Sequence, residues 1–382
     1  MSTLFSAHNQ WKNRPDDERY ENIRDMHTDA VAFKEAAREI EVPFEDLRIE
    51  AENGEIRLAG RKGNGARLSW WAFAQICRLV GFPVEVLRNE DKLGDRPTLV
   101  AQNLNCLLAK RPPVDSEDGR KAKNAQILLH KNGDWLVRAI TTEKYGRIWN
   151  ADLTERLVRL VEANPAWHNP MAYAKGGVFS GEMKPSGLYL SDHDMFAFMV
   201  DNDHPIIDPL TGNKLNRGFF VENDEVGGGC LAVTTFLYDW HCGNHIIHGV
   251  TGLAELRLKH MGDVNTRVWK QVEESFRKHL TSGAGKTQQL IAAAQHHVLA
   301  PVMNEVQDAL LTLARKVKAP EIGVRFAQKV VEMMPQREDR YGDPRSMWSA
   351  VNCITELSQG PFADDRTKLD RAAGKLLSVV DV

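Results

Sequence analysis

From Phe220 to Gly249 the chain reads FVENDEVGGGCLAVTTFLYDWHCGNHIIHG, three glycines followed by a run that offers no polar face. Strand alternation places Cys230, Ala232, Thr234, Phe236, Tyr238 and Trp240 on one side and Leu231, Val233, Thr235 and Leu237 on the other. Both sides need cover, so this is an interior strand of a layered protein, which excludes a plain helical bundle. Gly227, Gly228 and Gly229 mark a place where another backbone or a ligand comes close.

The flanking chain supplies the cover. A polar arm over 1–28 precedes a helix over about 29–40, and EDLRIEAENGEIRLAG reads as a hairpin turning at Asn53-Gly54. Ser69 caps a helix carrying Phe73, Ile76, Cys77 and Val80 at helical spacing, closed by Gly81 and Pro83. A short helix near 97–109 precedes the polar loop RPPVDSEDGRKAK, and a second hairpin turns at Asn132-Gly133. Its returning strand sets Trp135, Val137 and Ala139 on one face and Leu136, Arg138 and Ile140 on the other. The helix after it, over about 152–163, has Asp152 and Glu155 as a capping pair. GLYLSDHDMFAFMVD gives two strands around the turn at Ser191 to Asp194. Beyond Asp263 the pattern is helical to the end, with Pro301 as a kink in a long helix from Thr287. The predicted fold is α+β: a mixed, mostly antiparallel sheet with flanking helices over 29–262, followed by a helical C-terminal region over 263–382.

A formal charge of -3 gives no global basic signal, so any nucleic-acid site has to be a local patch. No run approaches the roughly 18 apolar residues of a membrane span, and nothing at the start resembles a secretion signal. Cys77, Cys106, Cys230, Cys242 and Cys353 are scattered and odd in number, as expected of reduced thiols in a cytoplasmic protein.

Several motifs, RPDDERY, LSWWAFAQICRLVGFP, WLVRAITTEKYGRIWN, the Phe220–Gly249 stretch, RLKHMG and MWSAVNCITE, occur in an order that resembles a known group. This is the phage- and plasmid-borne domain-of-unknown-function family nine-thirty-two. Its Val-Arg-Ala strand falls on Val137, Arg138 and Ala139, and its turn tyrosine on Tyr145. Its Asn-x-Glu-Val-Gly-Gly-Gly segment falls on Asn223, Glu225 and Gly227 to Gly229. Its Cys-x-Asn-Gly exit falls on Cys242 and Asn244, with His245 where the family has glycine. The resemblance implies a mobile-element protein of the bacterial cytoplasm and assigns it no activity.

Chemistry is sparse. Cys242, His245 and His248 have C-x2-H-x2-H spacing, with His241 and His260 as further donors for zinc, but strand phase turns His245 away from the other two. The expectation is therefore no cofactor. SGAGKT lacks the glycine a phosphate loop needs at 280, where the chain has Leu280. Asp192, Asp194, Asp201, Asp203 and Asp208 would suit a hard cation if gathered, as in a metal-dependent hydrolase or nuclease, yet their spacing is that of ordinary turns. Trp70, Trp71 and Trp348 read as packing, and His296-His297 as a helix face.

Local composition favours a nucleic-acid surface. Arg138, Lys144, Tyr145, Arg147 and Trp149 bring cations and aromatics into one strand and turn, and Arg257, Lys259 and His260 follow the central strand. Cations neutralise phosphates, and aromatic faces stack bases. Asn223, Glu225 and Asn244 are expected at the rim of the cleft, with Arg138 on the neighbouring strand. The reading is a protein that binds or anneals single-stranded DNA in recombination without cleaving it, with a homo-oligomer through its C-terminal helices as a further expectation. A metal-dependent enzyme and a protein that engages a host factor are the alternatives.

Overall fold

The computed structural model describes residues 16–59, 65–82, 84, 96–110, 123–173, 183–185, 187–208, 210, 212, 214–239, 244–246, 256–262, 264–281, 284–358 and 366–380. The chain begins with β1 (Arg19–Tyr20), α1 (Ile23–Glu35) and β2 (Ala37–Pro43). The hairpin β3 (Ile49–Glu52) and β4 (Glu55–Leu58) follows, then β5 (Arg67–Leu68), α2 (Trp70–Leu79) and α3 (Arg96–Lys110). The hairpin β6 (Asn124–Asn132) and β7 (Asp134–Thr142) leads through α4 (Asn150–Ala163) to β8 (Trp167–His168), β9 (Met171–Tyr173) and β10 (Met183–Pro185). Next come β11 (Leu188–Leu190), β12 (Asp194–Asp201), β13 (Ile206–Ile207), β14 (Lys214–Asp224), β15 (Leu231–Asp239), β16 (Asn244–Ile246) and β17 (Leu256–Leu258). The rest is helical: α5 (Val264–Thr281), α6 (Ala284–His296), α7 (Met303–Lys316), α8 (Val324–Met333), α9 (Glu338–Tyr341), α10 (Met347–Ser358) and α11 (Arg366–Leu377).

This is an α+β fold with two mostly antiparallel sheets where one was expected. The smaller sheet runs β2-β6-β7-β5-β4-β3, with β5 parallel to β7. The larger runs β1-β11-β12-β14-β15-β16, and β8, β13 and β17 add to β12, β14 and β15. A separate two-stranded pair is made by β9 and β10. The predicted central strand is β15, antiparallel to the longer β14.

Alternation decides what each strand buries. On β15, Leu231 and Val233 join Phe219 and Val221 in a core with α1, α4 and α5, while Phe236 faces the other way onto Phe198 and Phe220. The smaller sheet buries Ile127, Leu129, Val137 and Ile140 against α2 and α3. Helices α6 to α11 enclose their own core, into which Ile206, Leu215 and Leu237 project from the ends of the large sheet. Helix α5, counted with the C-terminal region by sequence, instead packs Val264, Val268, Val272 and Phe276 on the large sheet.

Both Asn-Gly hairpins form. Asn53 and Gly54 take φ of 51° and 79°, and Gly133 takes 73°. Ser69 caps α2 by accepting from Ala72 N, and Gly81 at φ 68° ends it. Two expectations change. Helix α1 starts at Ile23, capped by Asn22, so Ile23 and Met26 belong to the core and not to an arm. The stretch around Pro301 separates α6 from α7; it does not bend one helix. From Ala284 onward SGAGKT lies in α6, in keeping with the missing phosphate-loop glycine.

Strand β7 holds the most consequential departure. Ala139 lies opposite Leu128, but Val137 lies opposite Leu129, so the register shifts and Arg138 is the extra, bulged residue. The bulge breaks the alternation. Val137 and Ile140 share the face toward α2 and α3, whereas Ala139 joins Leu128 and Val226 on the opposite side.

Candidate functional site

That opposite side meets the large sheet, and the bulge aims Arg138 across the seam. Its Nε donates to the Asp192 carbonyl at 2.6 Å, Nη2 donates to the same oxygen, and Nη2 also meets Glu225 Oε2 at 3.0 Å. Both side chains of this pair are 2% exposed. The second Glu225 oxygen accepts from Asn150 N at 2.6 Å. Asn150 is the first residue of α4, so the carboxylate takes the place of the predicted Asp152–Glu155 cap and meets the positive end of the helix. The cap comes from 75 residues away in sequence.

Arg147 enters the same seam. Its Nη1 donates to the Glu225 carbonyl, its Nε pairs with Glu39 of β2, and its guanidinium lies over the rings of Tyr145 (5.2 Å) and Trp149 (5.5 Å). Asn223 donates to the Ile148 carbonyl at 2.9 Å and to Asn150 Oδ1 at 2.7 Å. Tyr145 donates its hydroxyl to the Asp224 carbonyl at 3.1 Å, leaving His260 Nδ1, also 3.1 Å away, to donate to the phenol. The two rings are stacked at 5.2 Å and 4°. Burial, and after it the charge of Arg147, lower the His260 pKa to about 4, while burial raises the Tyr145 pKa well above its ordinary value.

The glycine run makes this closure possible. A Cβ on Gly228 would strike Trp71 Cζ2 and Asp224 Oδ2, so an indole lies on this backbone. Gln75 ties the same segment to the small sheet, donating to the Val226 carbonyl at 2.5 Å and accepting from Ile140 N at 2.8 Å.

Beside the glycines is a crevice of about 20 Å³ between Trp71, His193, Asp194, Glu222, Asp224 and Cys230. That is room for about one water. His193 stacks on Trp71 at 5.9 Å, and Arg78 lies 5.5 Å over the same indole. Burial works against the imidazolium, but the Asp192 hydrogen bond and the charges of Asp194, Asp192 and Asp224 outweigh it and raise the pKa to about 9. Burial raises Asp224 to about 6, against the opposing pull of the Gly228 amide and His193.

The predicted site residues therefore divide into two groups. Arg138, Arg147, Asn223 and His260 are buried in the seam, out of reach of a nucleic-acid strand, and Tyr145 and Trp149 are half-buried against them. Asn223 and Glu225 are not at a rim, and Arg138 reaches Glu225 from the other sheet and not from a neighbouring strand. Arg257 and Lys259 are exposed on β17 and its continuation, and Lys144 is half-buried. Arg257 and Lys259 border a groove of about 300 Å³ between β17 and α5, lined also by Leu258, Met261, Val264 and Val268. Lys144 is tied to the turn after β17, where its carbonyl accepts from Gly262 N at 2.9 Å and Tyr145 pairs with Met261. Asn244 stands opposite Asp239 at the far end of β15.

The aspartates do not gather. Asp201 pairs with Arg217 (2.9 Å) and His204 (3.0 Å), and Asp208 accepts from Gln295 at 2.6 Å. Among the described residues no group of three or more His, Cys, Asp or Glu side chains is arranged for a metal ion. Cys242 and His248 of the zinc expectation lie outside the described residues, as does His241. No described helix is long and apolar enough to cross a membrane. Compared with protein-family models, curated proteins and solved structures, the chain matches none. The resemblance to family nine-thirty-two thus rests on its motifs alone.

Sequence reasoning read Trp71 as packing without its place on the glycine run, and missed Gln75, His193, Asp224 and Glu39. For one pair a signal was present: Asp194 and Asp224 bound strands that lie side by side, and they stand directly opposite each other in register.

Proposed function

We propose that this is a nucleic-acid-binding protein of a bacterial mobile element, acting in the cytoplasm, that holds single-stranded DNA at the β17–α5 groove without cleaving it. The observation that carries the reading is the pairing of exposed Arg257 and Lys259 with an apolar groove floor. Cations at alternate strand positions track a phosphate backbone, and an apolar trough receives the face of a base. Glu222 pairs with Arg257 at 3.3 Å, so a phosphate has to compete with that carboxylate for the guanidinium.

Fluorescence anisotropy with a labelled single strand at low ionic strength tests the reading. Arg257→Ala/Lys259→Ala is expected to weaken binding about tenfold or more, compared below the unfolding transition because the change also removes the partner of buried Glu222. An unshifted strand with the intact protein, or equal affinity of the double variant, overturns it.

A further inference from the structure

The free edge of the small sheet carries a second kind of recognition surface. Strand β3 is the last in the order β2-β6-β7-β5-β4-β3, and its two-residue hairpin with β4 fixes which peptide groups face outward. Glu52 and Glu55 flank the Asn53-Gly54 turn as the hydrogen-bonded pair, so Ala51 and Ile49 direct their N–H and C=O groups away from β4. At Ile49 both groups are taken by one side chain. Asn105 of α3 accepts from Ile49 N at 2.9 Å and donates to Ile49 O at 2.8 Å, so its amide does the work of a neighbouring strand's peptide group.

Two residues along, at Ala51, no described side chain repeats this. The edge opens into a groove of about 420 Å³ between β3 and one face of α3, where Thr98, Ala101, Gln102 and Asn105 follow helical spacing. Glu50 and Glu52 are exposed at its lip; Glu52 shares Arg57 of β4 at 3.5 Å, and no cation is among the described residues that line the groove itself. A second copy of the same edge would set these carboxylates against their own kind, which disfavours pairing of like edges. A cationic strand has the opposite electrostatics.

We propose that β3 and α3 form a docking groove for an extended basic peptide segment, which adds to the sheet as a strand through the Ala51 peptide groups and sets its cations against Glu50 and Glu52. Main-chain pairing supplies affinity in this mode, and the alternating side chains supply selection. The surface is separate from the β17–α5 groove, so it stands or falls independently of the DNA reading.

The probe is a short synthetic peptide alternating lysine and valine, followed by anisotropy and by the amide resonance of Ala51. The peptide is expected to bind at low ionic strength and to shift that resonance, and its glutamate counterpart to do neither. Ala51→Pro removes the outward donor at an edge position where proline does not interrupt the β3–β4 ladder. It should lower affinity about tenfold or more, as should Glu50→Lys/Glu52→Lys. Should Ala51→Pro lower the melting temperature, N-methylation of alternate peptide amides tests the same hydrogen bonds on the unaltered protein and is expected to abolish binding. A lysine/valine peptide that fails to bind, or one whose binding survives both the charge reversal and N-methylation, overturns the proposal.

Discussion

Arg138 shows how one residue joins two layers. A guanidinium at 2% exposure is tolerated because a carboxylate and a carbonyl surround it, and the carboxylate is in turn held by the first amide of α4. Removing one partner of such a buried pair leaves the other charge uncompensated, so Arg138→Ala is expected to cost roughly 3–5 kcal/mol in denaturant unfolding. Adding Glu225→Ala should cost less than the sum of the two single changes; additivity would show that they do not act as a unit. His193 gives a pH signature at the same seam. Its folded pKa, raised to about 9, lies above the unfolded value of about 6.5, so its contribution is fully present below 6.5 and is lost as pH rises through 9. Urea midpoints measured across that window should fall with pH in the intact protein and flatten in His193→Gln. An equal slope in both would assign the loss to another group.

The elements were legible where their causes are local. Asn53-Gly54 and Asn132-Gly133 fixed two hairpins, and Ser69 with Gly81 bounded α2, because each signal acts within a few residues. What escaped is long-range. Alternation gave Arg138 the face of Leu136 and Ile140, and the bulge opposite Leu128 and Leu129 breaks that phase. The partner that makes this possible, Glu225, is 87 residues away. For the same reason Arg147, Tyr145 and Trp149 read as a binding stripe when they are the packing of a seam. The glycine run was correctly marked as a close approach, but what approaches is the Trp71 ring. Gly228→Ala is accordingly expected to cost about 1–3 kcal/mol through overpacking. Trp71→Phe in the same chain should recover part of that loss in thermal melts, whereas no recovery would place the strain elsewhere.

At the scale of the molecule, the two sets of cations make opposite predictions. Arg138 and Arg147 are enclosed, so their loss should appear as stability; Arg257 and Lys259 are exposed, so their loss should appear as affinity. Because the whole chain carries a formal charge of -3, no general field assists binding and the salt dependence has to come from the few cations at the groove. Each phosphate neutralised on a single strand contributes about 0.7 to the slope of log K against log salt, so losing Arg257 and Lys259 together should flatten that slope by about 1.4. Arg138→Ala, compared below its own unfolding transition, should leave the slope unaltered even where its melting temperature is much lower. If Arg138→Ala flattens the slope and Arg257→Ala/Lys259→Ala does not, the strand reaches the seam between the sheets, and the β17–α5 groove is not where it binds.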